Sequence, residues 1–190
     1  MISICEERAA DVVARENLLD EAYGAVRFAK ASERLREGRL PAKGLSLVAL
    51  ERGQIVGTIR LWDVTAGPGR PALLLGPLAV HPGHRNRGIG SALVCGALTR
   101  ARLGGYQAVL LVGDAAYYDR FGFTAERTGG LWMPGRFERD RLLALELRQD
   151  ALAGAHGLIG AAGEMQPRPD LNTLIAGRSS TPRALVRRAA

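Results

Sequence analysis

Lysine is almost missing from this chain: of its 26 basic residues, only Lys30 and Lys43 are not arginine. Cysteine is scarce as well. Cys5 and Cys95 are the two present, which excludes a disulfide framework and any cysteine-based metal-ligand spacing. Cys95 falls in a predicted helix rich in small apolar residues and is expected to be a packed thiol. Aromatic residues make up 5% of the chain, so aliphatic side chains must supply most of the core. No apolar run approaches the roughly 20 residues that span a bilayer, and the N-terminus has no basic-then-apolar leader pattern. The expectation is a cytoplasmic protein with no membrane partner.

What is abundant is positive charge. The net charge is +7 and the isoelectric point about 10.2, which favours acidic or phosphate-bearing partners. The arginines are scattered from Arg8 to Arg188 and form no stripe interleaved with aromatics. No specific nucleic-acid partner is therefore expected, and most of the arginines are read as solvated surface. A chain of 190 residues with 47% hydrophobic content suits one well-packed α/β domain.

The hydrophobic pattern predicts a short strand over residues 2–5, a helix from Ala9 to Tyr23, and a second helix over 25–37 stopped by Gly38. Strands at 45–50 and 55–62 flank the turn Glu51-Arg52-Gly53-Gln54. The most apolar stretch, 72–80, reads as a buried strand with a defect at Gly76-Pro77, because proline has no N–H for a ladder. A helix runs from Gly88 to Leu103, with Ile89, Leu93, Ala97 and Ala101 at i, i+4 steps. A strand at 106–112, a short helix at 115–121 and a late strand at 141–148 follow. Residues 151–163 carry no charged side chain and are rich in Ala and Gly, and 164–190 are polar and basic. This extension is expected to be partly ordered at best.

The most informative segment is Arg85-Asn86-Arg87-Gly88-Ile89-Gly90-Ser91, between the strongest strand and the strongest helix. The first N–H groups of a helix lack intrahelical partners, and the helix dipole adds positive potential there, so such a position favours an anion. Gly88 and Gly90 let the backbone approach a bulky phosphate, and Arg85 and Arg87 add charge. Two glycines alone also fit a plain connection into a helix. There is no Gly-Lys-Ser/Thr of a nucleotide loop and no third glycine of a dinucleotide fingerprint.

Taken with the preceding Leu78-Ala79-Val80-His81-Pro82 and with Tyr117-Tyr118-Asp119-Arg120-Phe121-Gly122-Phe123 further on, this segment resembles the GNAT superfamily of acetyl-CoA-dependent N-acetyltransferases. The likeness covers roughly residues 1–150, and is strongest to a bacterial subgroup known as predicted N-acetyltransferases. It implies an acyl-CoA N-acyltransferase domain at 1–150, with 151–190 as an extension. The implied fold is α/β, with a mixed, mostly antiparallel central sheet, a splayed central strand and helices on both faces. It implies acetyl-CoA as co-substrate and no metal. Pyrophosphate is expected on Arg85, Asn86, Arg87, Gly88, Ile89, Gly90 and Ser91, and the pantetheine arm along Leu78, Ala79 and Val80. Tyr118 matches the tyrosine expected to protonate the departing thiolate, whereas Tyr117, Phe121 and Phe123 are expected in the core. Many members carry a glutamate base on the central strand; here Leu73-Leu74-Leu75 stands in that region. His81, His84, Glu51 and Asp114 are nearby ionisable groups without specific support as a base. The implied reaction is acetyl transfer to a small-molecule amine or a protein amino group, in a monomer or homodimer. Arg27, Arg34, Arg36 and Arg39 fit an acidic acceptor or an acidic carrier, and fit solvated helix faces equally well. A non-catalytic acyl-CoA-binding or regulatory module is the alternative.

Overall fold

The computed structural model describes residues 1–167. In chain order the main elements are β1 (Ile2–Glu6), α1 (Val12–Tyr23), β2 (Ser46–Glu51), β3 (Gln54–Ala66), β4 (Pro71–Val80) and α2 (Ile89–Leu103). They continue with β5 (Ala108–Val112), α3 (Ala115–Tyr118), β6 (Leu131–Trp132), β7 (Leu142–Glu146) and β8 (Gly157–Ala161). Among the described residues the sheet has eight strands, with the path β1-β2-β3-β4-β5-β7 and with β8 joining β3 and β6. Every pairing along that path is antiparallel except β4 with β5.

The long central strands bury residues on both faces, as strands covered on two sides must. Leu47, Ala49, Ile59, Leu61, Leu73 and Leu75 pack with Ile89, Leu93 and Ala97 of α2. On the opposite face Trp62, Val64, Leu74 and Leu110 pack with Leu131, Leu142 and Ile159. Leu18 and Leu19 of α1 lie against Ala79. Helix α2 forms because its apolar residues recur at helical spacing, and it comes unusually close to the sheet at Gly57. A methyl group at that position would stand 3.0 Å from both Ile89 Cγ2 and Leu93 Cδ1. Cys95 falls on the outer side of α2 and is exposed, so the expected packed thiol is corrected: burial on this helix belongs to positions 89, 93, 94, 97, 98 and 101.

The expected break in β4 is present. β4 and β5 pair only at Leu73 with Val109 and Leu74 with Leu110. The β3–β4 register slips between Ile59 and Leu61, where Pro77 offers no donor. The Gly76 carbonyl is taken by Trp62 Nε1 at 2.7 Å instead. Past this point β4 stays on β3 but separates from β5. His81 N donates to Val56 O at 2.9 Å. Antiparallel alternation then directs Ala79 toward β3, and the backbone groups of Leu78 and Val80 toward the gap.

The second helix expected over 25–37 is absent; 3-10 turns at Gly24–Ala29 and Glu33–Leu35 take its place. Gly24, at φ 60°, ends α1, and Val26 and Phe28 are exposed, so no continuous apolar stripe seats a helix there. The chain also folds beyond residue 150. β8 pairs with Val64–Ala66 of β3, and Leu152, Ala155 and Ile159 are buried. The rest of the expected extension, 168–190, lies outside the described residues.

Candidate functional site

The segment between β4 and α2 turns twice through left-handed backbone, at Asn86 (φ 60°) and at Gly88 (φ 76°). Gly88 precedes the first turn of α2, which has no side-chain cap and no acidic residue. The orphan N–H groups of that turn are thus left for another acceptor. They open into a groove of about 440 Å³ lined by Val80, Arg85, Asn86, Gly88, Ile89, Gly90 and Ser91. Seven of the residues singled out in the sequence therefore meet around one opening.

Arg87 does not line this groove. Its guanidinium reaches Glu51, with Nη2 at 2.7 Å from Oε1 and Nη1 at 3.2 Å from Oε2. His84 Nε2 lies 2.9 Å from the same carboxylate. The Arg87 guanidinium, with the His84 ring, holds the Glu51 carboxyl down at about 2. A carboxylate so well satisfied is no proton acceptor near neutral pH. Glu51 and His84 therefore pin the loop to the β2–β3 turn, and the contact removes Glu51 from the candidate bases. His81 is likewise occupied, its Nδ1 accepting from Gly83 N at 3.1 Å. Asp114 caps α3, accepting from Ala116 N at 3.0 Å.

Sequence reasoning missed two contributors to the groove. Tyr117, expected in the core, lines it instead. Its hydroxyl would stand 2.9 Å from a methyl group at Gly90, so the absence of a side chain at 90 makes room for the phenol. Arg120 also lines the groove and lies 4.9 Å from the Tyr117 ring centroid. Arg85 and Arg120 have no carboxylate partner among the described residues. The one-turn spacing between Tyr117 and Arg120 was the available signal, since helical neighbours share a face.

Tyr118 sits on the other side of its helix turn, packed edge-on against Tyr117 and Phe123 at ring separations of 4.9 and 5.8 Å. Gly113 allows this approach, for a methyl group there would lie 2.5 Å from Tyr118 Cε2. Burial, with the neighbouring phenols of Tyr23 and Tyr117, raises the Tyr118 pKa above its ordinary value. Phe123 is fully buried and Phe121 partly so, as expected. Leu78 does not line the groove, but its carbonyl accepts a hydrogen bond from the Tyr23 hydroxyl across the gap. Ala79 bonds toward β3 and buries its methyl against Leu18 and Leu19. Trp132 is exposed beneath Arg139, 4.1 Å from its ring centroid, and Phe137 lines a separate small cavity. Among the described residues there is no group of three or more side chains suited to hold a metal ion, and no helix is long and apolar enough to cross a membrane.

Comparison with known proteins fits this geometry. Residues 42–125 match the family model described as an acetyltransferase (GNAT) domain. The chain is 30% identical over 143 residues to the uncharacterized N-acetyltransferase YhbS of Escherichia coli, covering 75% of this chain and 85% of that protein. It is 34% identical over 105 residues to the uncharacterized N-acetyltransferase YjhQ of the same organism, spanning 54% of this chain and 58% of that relative. Among solved structures, the YhbS complex with CoA superposes with a TM-score of 0.69 at 31% identity, covering 85% of this chain and 89% of that one. A GNAT family acetyltransferase from Brucella melitensis in complex with acetyl-CoA gives 0.58 at 27% identity, with coverages of 90% and 94%. With an uncapped helix start beside a strand that parts from its neighbour, the chain belongs to the GNAT family of acetyltransferases.

Proposed function

We propose that this protein transfers an acetyl group from acetyl-CoA to a primary amine by direct attack within a ternary complex. The observation that carries the reading is the uncapped first turn of α2, which opens into the same groove as Val80 where β4 has left β5. The donor set suits a pyrophosphate: successive backbone N–H groups in a left-handed turn, with the free guanidinium groups of Arg85 and Arg120 beside them. The solved relatives named with CoA and acetyl-CoA support it.

Acetyl-CoA would supply an activated acyl thioester. The backbone groups of Leu78 and Val80 face the gap and would hold the pantetheine amides as an added strand does. A backbone N–H on this edge stabilises the oxyanion that forms as the amine attacks. Tyr118 donates its proton to the departing thiolate. Burial keeps this phenol protonated, as an acid must be before the step. No carboxylate stands on β4 at Leu73–Leu75 to take the amine's proton, so the amine is deprotonated before it enters or loses its proton through water.

The test is purified protein with acetyl-CoA and an amine panel, read as free thiol. Turnover that falls on Tyr118→Phe while CoA still binds supports the assignment. The missing carboxylate favours a second reading, a module that binds acyl-CoA without turning it over. CoA binding with no thiol from any amine, and no effect of Tyr118→Phe, would favour that module.

A further inference from the structure

On the α1 side of β4 lies a cavity of about 740 Å³. Leu19, Phe28, Trp62 and Pro77 give it apolar walls, and Arg36 lines it with a side chain only 7% exposed. The carboxylates that reach inside are already engaged. Glu16 pairs with both Arg15 and Arg27, and Glu33 Oε2 lies 2.9 Å from Arg36 Nη2. Glu37 stands on the exposed rim. Arg36 Nε and Nη2 also bond Ser32, to its carbonyl and hydroxyl, each at 3.2 Å. Arg36 Nη1 has no hydrogen-bond partner among the described residues. Among the described residues Nη1 is not one of the fully buried polar atoms left without a partner, so it keeps a solvent-accessible donor edge that an incoming acceptor can take. The group that best matches a planar fork of N–H donors is a carboxylate.

Tyr23 does not line the cavity but adjoins it, for it packs against the cluster of Leu18, Leu19 and Ala79, and Leu19 is one of the cavity walls. The Tyr23 hydroxyl in turn donates to the Leu78 carbonyl, at the edge that faces the gap. The cavity, a phenol and the open edge of β4 thus adjoin one another in turn.

We infer that the acceptor is a small molecule carrying an amine and a carboxylate on one frame, with the carboxylate on Arg36 and the amine at Tyr23. This rests on the acetyl-transfer reading of the gap. Tyr23 keeps its proton on the Leu78 carbonyl and offers its remaining lone pair to an amine N–H. The amine's own lone pair is then free to point into the gap. Tyr23 is a positioning residue, and no proton leaves it.

The test uses the full chain, acetyl-CoA and matched pairs: glycine against glycinamide, γ-aminobutyrate against butylamine, and phenylalanine against phenethylamine. At least one carboxylated member should exceed its partner in kcat/KM by roughly ten- to a hundredfold, the range of a charge-assisted contact. Arg36→Gln should collapse that preference to within about threefold while the thermal shift produced by CoA persists. Tyr23→Phe should lower kcat and leave the preference intact. Equal turnover or equal binding within every pair, a preference that survives Arg36→Gln, or better turnover of an acidic peptide than of every small carboxylated amine would overturn the inference. Should Arg36→Gln not fold, the wild-type preference decides by itself. Failure of CoA to bind defeats the acetyl-transfer reading instead. Thermal shifts with the same pairs in the absence of CoA then still report on the cavity.

Discussion

On the α2 side of β4 the groove is walled by backbone: Gly88, Gly90 and the uncapped first turn of a helix, with two free arginines at the margin. On the α1 side the cavity is walled by long charged side chains drawn from α1, the 3-10 turns and β3, already locked to one another by ion pairs. A backbone site recognises a feature common to every acyl-CoA, and little about it can vary. A side-chain site can be rewritten by substitution, as an acceptor site on the α1 side would be.

Substitutions should separate the two halves. The largest effect is expected for Tyr118→Phe: kcat falls by roughly 100-fold, the lower end for general acid catalysis, and CoA affinity is unchanged by calorimetry. Because the Tyr118 pKa is raised, the wild-type pH–rate profile should show no loss of activity from this group below about pH 10. An alkaline fall well below that pH, absent in Tyr118→Phe, would mean that burial does not hold the proton. Next comes Arg85→Ala, which should weaken CoA about tenfold, lessen the salt dependence of CoA binding and leave the acceptor KM in place. A change in acceptor KM instead would erase the division between the two sides.

Glu51→Gln should act more mildly, because it loosens the loop and its partner His84 but removes no donor at the start of α2. Glu51 titrates at about 2 when folded, against 4.5 unperturbed. Its contribution to stability is therefore complete above pH 4.5 and is lost as pH falls through about 2. The stability difference between wild type and Glu51→Gln, followed by urea denaturation, should be constant above pH 4.5 and shrink below it. A difference that grows in acid would contradict the pairing.

The loop and groove at the start of α2 were legible in the sequence because they are made of local signals. Glycines at a helix start, the proline that breaks β4 and the apolar spacing of α2 each act on a few neighbouring residues. The strands from β1 to β5, the hairpin and both long helices followed for the same reason. The failures were non-local. The helix expected at 25–37 lost to tertiary fit, since Val26 and Phe28 stay exposed and seat no apolar stripe on the sheet. β8 escaped notice because Gly157 and Gly160 dilute its strand character, although Gly160 is what fits it against Thr65, where a methyl group would lie 2.9 Å from the hydroxyl. Nothing local joined the Arg87 guanidinium to Glu51, 36 residues away. Likewise nothing in the chain order joins Tyr23 to Leu78 or Arg15 to Glu7.

Gly57 gives the helix–sheet contact a further meaning. It has no part in either cavity, yet it is paired with Val80 across the ladder and fixes how deeply Ile89 sinks. Position 57 is therefore a shim between the strand edge and the first turn of α2. Gly57→Ala would lift α2 by a few tenths of an ångström and leave every ligand-contacting side chain intact. A drop in CoA affinity in that variant, with the acceptor preference unaltered, would show that the spacing between two backbone surfaces is itself a determinant of binding, adjustable from a residue that touches no ligand.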